Sequence, residues 1–325
     1  MICIKYLEII NTNLMVSAMC LGTVNYGTSF PQEKAFHQLD KFFKMGGNFI
    51  DTAHVYGDWI TGETGRSEKI IGKWLEKNRN RDKVIIATKG GHPLLQNMNV
   101  SRMKPNDLEK DLDESLNNLK TDYIDLYFLH RDDLSIPVCI IIEFLEQKVM
   151  EGKIKYYGCS NWSLPRILEA QQYAKEHGYL GFVCNQIMCC LADINVESLI
   201  ARQMVVLDKE FKRYHDETNM FLMAYMSISG GYFYKIDKGE QLSDNMIEMY
   251  MNNSNNNILE KLRQVCSDKY TITDFSFKFV MMQDFPSVPI ASFTNDIQLE
   301  QCLKSSDLEL DKNLMNSVSK YKELQ

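Results

Sequence analysis

KVIIATKGG, residues 83–91, decides the fold: a short β-branched run, KVIIAT at 83–88, leads straight into Lys89 and a glycine pair. Behind it comes PNDLEKDLDESLNNLK at 105–120, where Leu108, Leu112, Leu116 and Leu119 recur at helical spacing and Pro105 stands near the start. A buried strand followed by an amphipathic helix is one βα unit. The same pairing repeats outward in both directions. The other strand-like runs are MVSAMCLG (15–22), NFID (48–51), YIDLYFL (123–129), IKYYGCS (154–160), FVCNQ (182–186), FLMAY (221–225) and SVPIA (287–291). Between and after them lie KAFHQLDKFFKMG (34–46), SEKIIGKWLEKN (67–78), IPVCIIIEFLEQKVMEG (136–152) and SLPRILEAQQYAKEHG (163–178). VESLIARQMVVLDKEFKRYHDET (196–218), ILEKLRQVCSDKY (258–270) with its continuation and a C-terminal helix complete the set. Alternation of this kind predicts an α/β fold, and eight units predict a (β/α)8 TIM barrel, a parallel eight-stranded barrel with outer helices.

The chain has 325 residues, within the range of one α/β barrel, so a single domain over 1–325 is expected. Ser163 is an expected N-cap with Pro165 in the first turn, and Gly152 and Gly178 sit where helices end. Residues 230–257, ending in the polar run NNSNNN, read as a flexible loop over the barrel mouth, and the connection between the sixth and seventh strands is unusually long.

Composition narrows the function. A formal charge of −7 offers no general attraction to phosphate backbones or anionic membranes, so nucleic acid and membrane surfaces are not expected partners. The opening MICIKYLEIINTNLMV is interrupted by Lys5, Glu8 and asparagines, unlike a signal peptide, and no apolar run reaches the ~18 residues of a transmembrane helix. Nine cysteines show no C-x-x-C pairing, which suits thiols in a reducing cytoplasm and no structural metal, with Cys189 and Cys190 read as packing.

In a TIM barrel the active site gathers at the C-terminal ends of the strands. Asp51 closes the second strand, Tyr56 follows in the loop, Lys89 closes the third strand and His130 the fourth. Singly, each has an ordinary structural reading as a turn, packing or satisfied polar residue. Together they suit carbonyl reduction, which creates an alkoxide and therefore needs a proton donor beside the substrate oxygen. A phenol such as Tyr56 serves if a neighbouring ammonium, Lys89, lowers its pKa from ~10 by favouring the phenolate. Asp51 would hold the lysine charged, and His130 would donate a hydrogen bond that positions the carbonyl. A zinc reading of Asp51, His54 and His130 is disfavoured by Lys89 at the same mouth.

The chain resembles the aldo-keto reductase family through LGTVNYG (21–27), DTAHVYG (51–57), GRSEKIIGKWL (65–75), ATKGG (87–91), DYIDLYFLHRDD (122–133), GKIKYYGCSNW (152–162) and VCNQ (183–186), in the family's order and spacing. The resemblance implies the catalytic tetrad Asp51, Tyr56, Lys89 and His130, and 4-pro-R hydride transfer from NADP(H) or NAD(H), with a small carbonyl or alcohol as the other partner. It assigns Ser160, Asn161 and Gln186 to the nicotinamide carboxamide, sets Tyr225 against the nicotinamide ring, and adds Gly22, Thr23 and Asp51 to the cofactor set. Lys235 is its candidate for the pyrophosphate. Ser292, Thr294, Gln298 and Gln301 are candidates for phosphate or ribose. The segment after the eighth strand, VPIASFTNDIQLEQCL, holds Asp296 and Glu300 and no cation, whereas relatives that prefer NADPH usually place Lys or Arg there. The family also includes potassium-channel β subunits, so a cofactor-binding regulatory subunit is the competing expectation. His92, Trp59, Trp162 and Phe30 are aromatic candidates for the substrate wall, and the sequence leaves the substrate and oligomeric state open.

Overall fold

The computed structural model describes residues 4–322. Cys3, one of the nine cysteines, and the extreme ends of the expected domain lie outside the described residues. The strands form a closed, eight-stranded parallel barrel with surrounding helices. The described chain divides into two compact units, Tyr6–Asn185 and a second built chiefly from Gln186 onward.

The first unit opens with a hairpin, β1 (Tyr6–Glu8) antiparallel to β2 (Met15–Ser17). It continues through β3 (Cys20–Gly22), α1 (Gln32–Lys44), β4 (Phe49–Asp51), α2 (Arg66–Asn78), β5 (Ile85–Gly90), α3 (Pro105–Leu119), β6 (Ile124–Leu129), α4 (Val138–Met150), β7 (Ile154–Ser160) and α5 (Leu164–Glu176). The expected strand 15–22 is therefore two strands. At the break, the Ser17 hydroxyl donates to the Met19 carbonyl at 2.8 Å and the Ser17 N–H donates to Asn48 Oδ1 at 2.7 Å. Only β3 joins the barrel. Registers Gly22↔Asp51, Asp51↔Ala87 and Lys89↔Phe128 run parallel across β3 to β6.

β6 is buried along its whole length, as the unbroken run of its sequence requires of a parallel strand covered on both faces. Its one acid, Asp125, is satisfied by Arg81 and Lys155, each at 2.8 Å, and by the Ile86 N–H at 3.0 Å. On α3 the buried stripe is Leu108, Asp111, Leu112, Ser115 and Leu119, while Leu116 sits half-buried at its margin. Two polar side chains thus occupy a face that apolar spacing alone assigns to leucines.

The second unit carries β8 (Cys184–Met188, begun in the first unit), α6 (Val196–Arg202), α7 (Lys209–Thr218), β9 (Phe221–Tyr225), α8 (Tyr232–Asp237), α9 (Asp244–Tyr250), α10 (Asn253–Val265), α11 (Ile272–Met281), β10 (Ser287–Ala291), α12 (Asp296–Asp307) and α13 (Lys312–Ser319). The long stretch 196–218 is broken into two helices at Gln203, whose φ of 51° ends α6. The loop expected over 230–257 is instead three helical pieces. Its Asn-rich run builds the first turn of α10: the Asn252 side chain accepts the Asn255 N–H, and buried Asn255 donates to the Asp193 and Tyr250 carbonyls at 2.8 and 2.6 Å. Asparagine there serves as cap and buried tie rather than as solvated loop. Burial pushes the Cys189 thiol up to about 12 and raises Cys190, consistent with packing. No helix among the described residues is long and apolar enough to cross a membrane.

Candidate active site

Within the first unit, the C-terminal ends of β4, β5 and β6 bring the four expected catalytic residues together. Lys89 is 1% exposed and Asp51 2%. The Lys89 ammonium donates to Asp51 Oδ2 at 2.8 Å, to the Thr52 carbonyl at 2.7 Å and to the Tyr56 hydroxyl at 3.2 Å. An ammonium has three N–H donors, and here each has a partner, which is what allows it to stay charged out of water. Burial alone would lower the Lys89 pKa. Burial is the largest single influence, but the Asp51 carboxylate and the Tyr56 oxygen together outweigh it and hold the pKa above the ordinary value.

Tyr56 follows on a tight turn in which its N–H donates to the Ala53 carbonyl and its own carbonyl accepts from Ser67 at the start of α2. Gly57 is at φ 97°, and a Cβ there would lie 2.7 Å from Arg66 Cβ, so only glycine allows the loop to pass over the helix. The phenol edge meets the His130 ring at a centroid distance of 6.0 Å and 74°. One expectation is corrected. Lys89 does draw the phenol pKa down, but burial raises it more and Asp51 adds to the rise, so the Tyr56 pKa lies above 10 rather than below it.

His130 is driven well below its ordinary pKa by burial, then by the charge of Lys89, so it is a neutral imidazole at pH 7. Its Nδ1 is buried and has no hydrogen-bond partner among the described residues. His92 leans on it at 4.8 Å between ring centroids, with Nδ1 2.7 Å from the Pro93 carbonyl. A carbonyl only accepts, so that nitrogen carries the hydrogen. Of the other aromatic wall candidates, Trp59 is 48% exposed, whereas Trp162 is fully buried, donates to the Arg131 carbonyl at 3.0 Å and packs edge-on against Phe182. Phe30 is buried against Tyr26. Trp162 and Phe30 are therefore scaffold.

Gly22 ends β3 in register with Asp51. Thr23 is fully buried, its hydroxyl donating to the Asp51 carbonyl at 2.8 Å beside Ser67 Oγ at 2.8 Å, so it holds the strand ends together. Ser160 ends β7, and Asn161 follows in the left-handed region at φ 58° with its amide donating to the Ser160 hydroxyl at 3.1 Å. A hydroxyl and a carboxamide on one strand end form a mixed donor and acceptor set, which suits a ligand carboxamide.

In the second unit, Gln186 is buried in β8 and Tyr225 is half-buried at the end of β9, its hydroxyl 3.5 Å from the Val205 carbonyl. Lys235 lies on α8 with Nζ 3.8 Å from Met246 Sδ. After β10, Ser292 precedes Thr294, which donates both its N–H and its hydroxyl to Gln298 Oε1 at 2.9 and 3.0 Å, and Gln301 donates to Thr271 Oγ1 at 3.2 Å. These groups brace the starts of α12 and α11.

Sequence reasoning missed the support behind the tetrad. Ser67 joins Thr23 and Thr52, at 2.8 and 2.9 Å, and fully buried Glu68 accepts from Thr88 at 2.6 Å and Asn118 at 3.1 Å. The GRSEK stretch carried the signal, since a Ser-Glu pair opening an amphipathic helix on its buried side has no packing reason to be polar.

The aldo/keto reductase family model matches residues 18–323. An uncharacterized oxidoreductase of Bacillus subtilis, YrpG, is 28% identical over 97% of this chain and 95% of its own length. Norsolorinic acid reductase B of Aspergillus parasiticus is 34% identical over 54% of this chain, a match that spans 47% of that protein. Among solved structures, the holo form of the aldo-keto reductase AKR11C1 from Bacillus halodurans superposes with a TM-score of 0.76 at 21% identity, covering 99% of this chain and 98% of that one.

Proposed function

This chain belongs to the aldo/keto reductase family of oxidoreductases, and we propose from that premise that it is an NAD(P)H-dependent enzyme reducing an aldehyde, ketone or sugar-like carbonyl to an alcohol. The observation that carries the reading is the use of all three Lys89 N–H groups, one of them on the Tyr56 oxygen. Because that oxygen accepts from the ammonium, the phenol's own hydrogen is directed elsewhere, and Tyr56 acts as proton donor to the carbonyl oxygen. Neutral His130 offers one ring N–H to orient the same oxygen. Charge then develops on the substrate oxygen, the phenol proton crosses to it, and Lys89 stabilises the phenolate left behind. Asp51 keeps Lys89 charged throughout.

Aldo-keto reductases use nicotinamide cofactors, and the bound nicotinamide supplies the hydride. Ser160, Asn161 and Gln186 are the residues proposed to hold its carboxamide and Tyr225 its ring, with Lys235, Ser292, Thr294, Gln298 and Gln301 toward the phosphates and ribose. Gly22 and Thr23, at the end of β3 beside Asp51, complete the proposed cofactor set. The relative named a norsolorinic acid reductase supports the reductive direction.

Titration with NADPH and NADH, followed by fluorescence, and turnover of a carbonyl panel test the reading together. Saturable binding and turnover abolished by Tyr56→Phe are expected, with the two affinities within about tenfold because no cation stands in 292–301 to earn the ~1.5–3 kcal/mol of a charged hydrogen bond. Tight binding without turnover of any carbonyl would favour the regulatory-subunit reading. Absence of binding by either nucleotide would defeat both.

A further inference from the structure

His54 stands midway between Asp51 and Tyr56 on the segment that leaves β4, and its backbone N–H donates to the Lys89 carbonyl at 3.0 Å. Its imidazole turns away from the tetrad toward α3. Nε2 lies 2.7 Å from Glu114 Oε2, and Nδ1 lies 3.8 Å from Asp111 Oδ1. Both ring nitrogens therefore face carboxylates, and only the imidazolium presents N–H on both sides. Asp111 is itself fixed: its other oxygen accepts the Gly91 N–H at 2.9 Å, two residues beyond Lys89, and Arg102 pairs with it from the following loop. From α2, Glu68 bonds Thr88, the residue before Lys89, at 2.6 Å.

We propose that His54 is a positioning residue, an imidazolium latch that clamps the Tyr56 loop and the Lys89 strand end to α3. Released, the segment between Asp51 and Gly57 loses its tie to α3, and the 3.2 Å contact between Lys89 and the phenol is no longer enforced. This rests on the reading of Tyr56 as proton donor.

The charged groups facing the imidazole decide the sign of its titration. Asp111 and Glu114 come from α3, with Lys110 3.9 Å from Glu114 on its solvent side. Glu68 comes from α2, Arg102 from the loop before α3, and His130 from β6's end. Burial lowers the His54 pKa, but the three carboxylates together outweigh it, and the pKa lies above 6.5. A raised histidine keeps its contribution complete below about pH 6.5 and loses it as pH rises through the folded-state value. Reductase turnover should therefore carry a falling limb on the alkaline side that belongs to His54.

The test is the pH profile of kcat in carbonyl reduction by the holoenzyme, alongside histidine ring NMR of the parent, His54→Gln and Glu114→Gln. His54→Gln should lower kcat by between about tenfold and a hundredfold below the limb, the range a misplaced catalytic group costs, and remove the limb itself. Glu114→Gln alters a half-exposed residue and keeps its shape, and should move the limb and the His54 resonance to lower pH by about one unit. An unchanged profile in His54→Gln, or a His54 resonance titrating at or below 6.5, overturns the latch. Full turnover in Tyr56→Phe would instead sink the functional reading beneath it, a result the His54 resonance cannot mimic.

Discussion

Replacing Asp51 by Asn tests the electrostatic core of the site with one atom's change. The amide keeps an acceptor oxygen for the Lys89 ammonium and the Thr52 and Tyr56 acceptors remain, so the loss is of charge rather than of hydrogen-bond count. Burial, the largest influence on Lys89, would then act unopposed by the adjacent carboxylate and pull its pKa down. Fully buried lysines without a counter-charge reach pKa values of ~5–6, so Lys89 would be neutral at pH 7 in the variant. Surrendering that proton from an ordinary value of ~10.4 costs at most about 4.6 kcal/mol at pH 7, in line with the ~3–5 kcal/mol for breaking a buried pair. With an unfolding entropy of ~2.1 cal/mol/K per residue, the 325-residue chain should melt about 5–7 °C lower. The sign with pH is specific. In the variant the unfolded chain binds a proton that the folded chain lacks, so its stability rises with pH from neutrality toward ~10.4, and the gap to the parent narrows by pH 9.5. Melting followed by circular dichroism at pH 7 and 9.5 reads both effects, and Asp51→Asn combined with Lys89→Met should recover most of the loss by removing the amine that must give up its proton on folding. A gap under about 1 kcal/mol at pH 7, or one equal at both pH values, would refute the argument.

Three further outcomes are expected. Tyr56→Phe should keep nucleotide affinity in a fluorescence titration while turnover falls at least ~100-fold, the lower end of general acid catalysis. Thr88→Val leaves buried Glu68 without its 2.6 Å donor and should cost about 1–3 kcal/mol in urea unfolding, with a change below about 0.5 kcal/mol ruling that bond out as a support. Gly57→Ala forces a side chain onto φ 97° and against Arg66, and should lower stability by more than about 1 kcal/mol while also depressing kcat, since the strain falls on the residue after Tyr56.

The barrel was legible because its strands are period-free apolar runs and its helices are striped, and the ends of three runs pointed to the four candidate residues. What was illegible depended on contacts at long sequence separation. The 15–22 run is apolar apart from Ser17, and it divides into a hairpin strand and a barrel strand where Ser17 bonds Asn48 and the Met19 carbonyl. The NNSNNN stretch has the composition of a loop, yet Asn252 and Asn255 find partners at Asp193 and Tyr250 that convert polarity into a helix cap. Leu116 fits the α3 stripe by spacing, but Asp111 takes a buried position because His54 and the Gly91 N–H are its partners.

The Tyr56 phenol shows why residue chemistry read without depth misleads on pKa while succeeding on identity. The sequence places an ammonium, a carboxylate and a phenol within one loop and two strand ends, and from that list alone the ammonium should win, lowering the phenol. Depth reverses the order: burial opposes the phenolate first, and Asp51, needed to keep Lys89 charged, also repels it. In the proposed mechanism the proton stays on Tyr56 until charge develops on a substrate oxygen opposite. In that mechanism Lys89 acts at the moment of transfer, when the phenolate it would stabilise comes into existence, and that is when its interaction contributes differentially to the transition state.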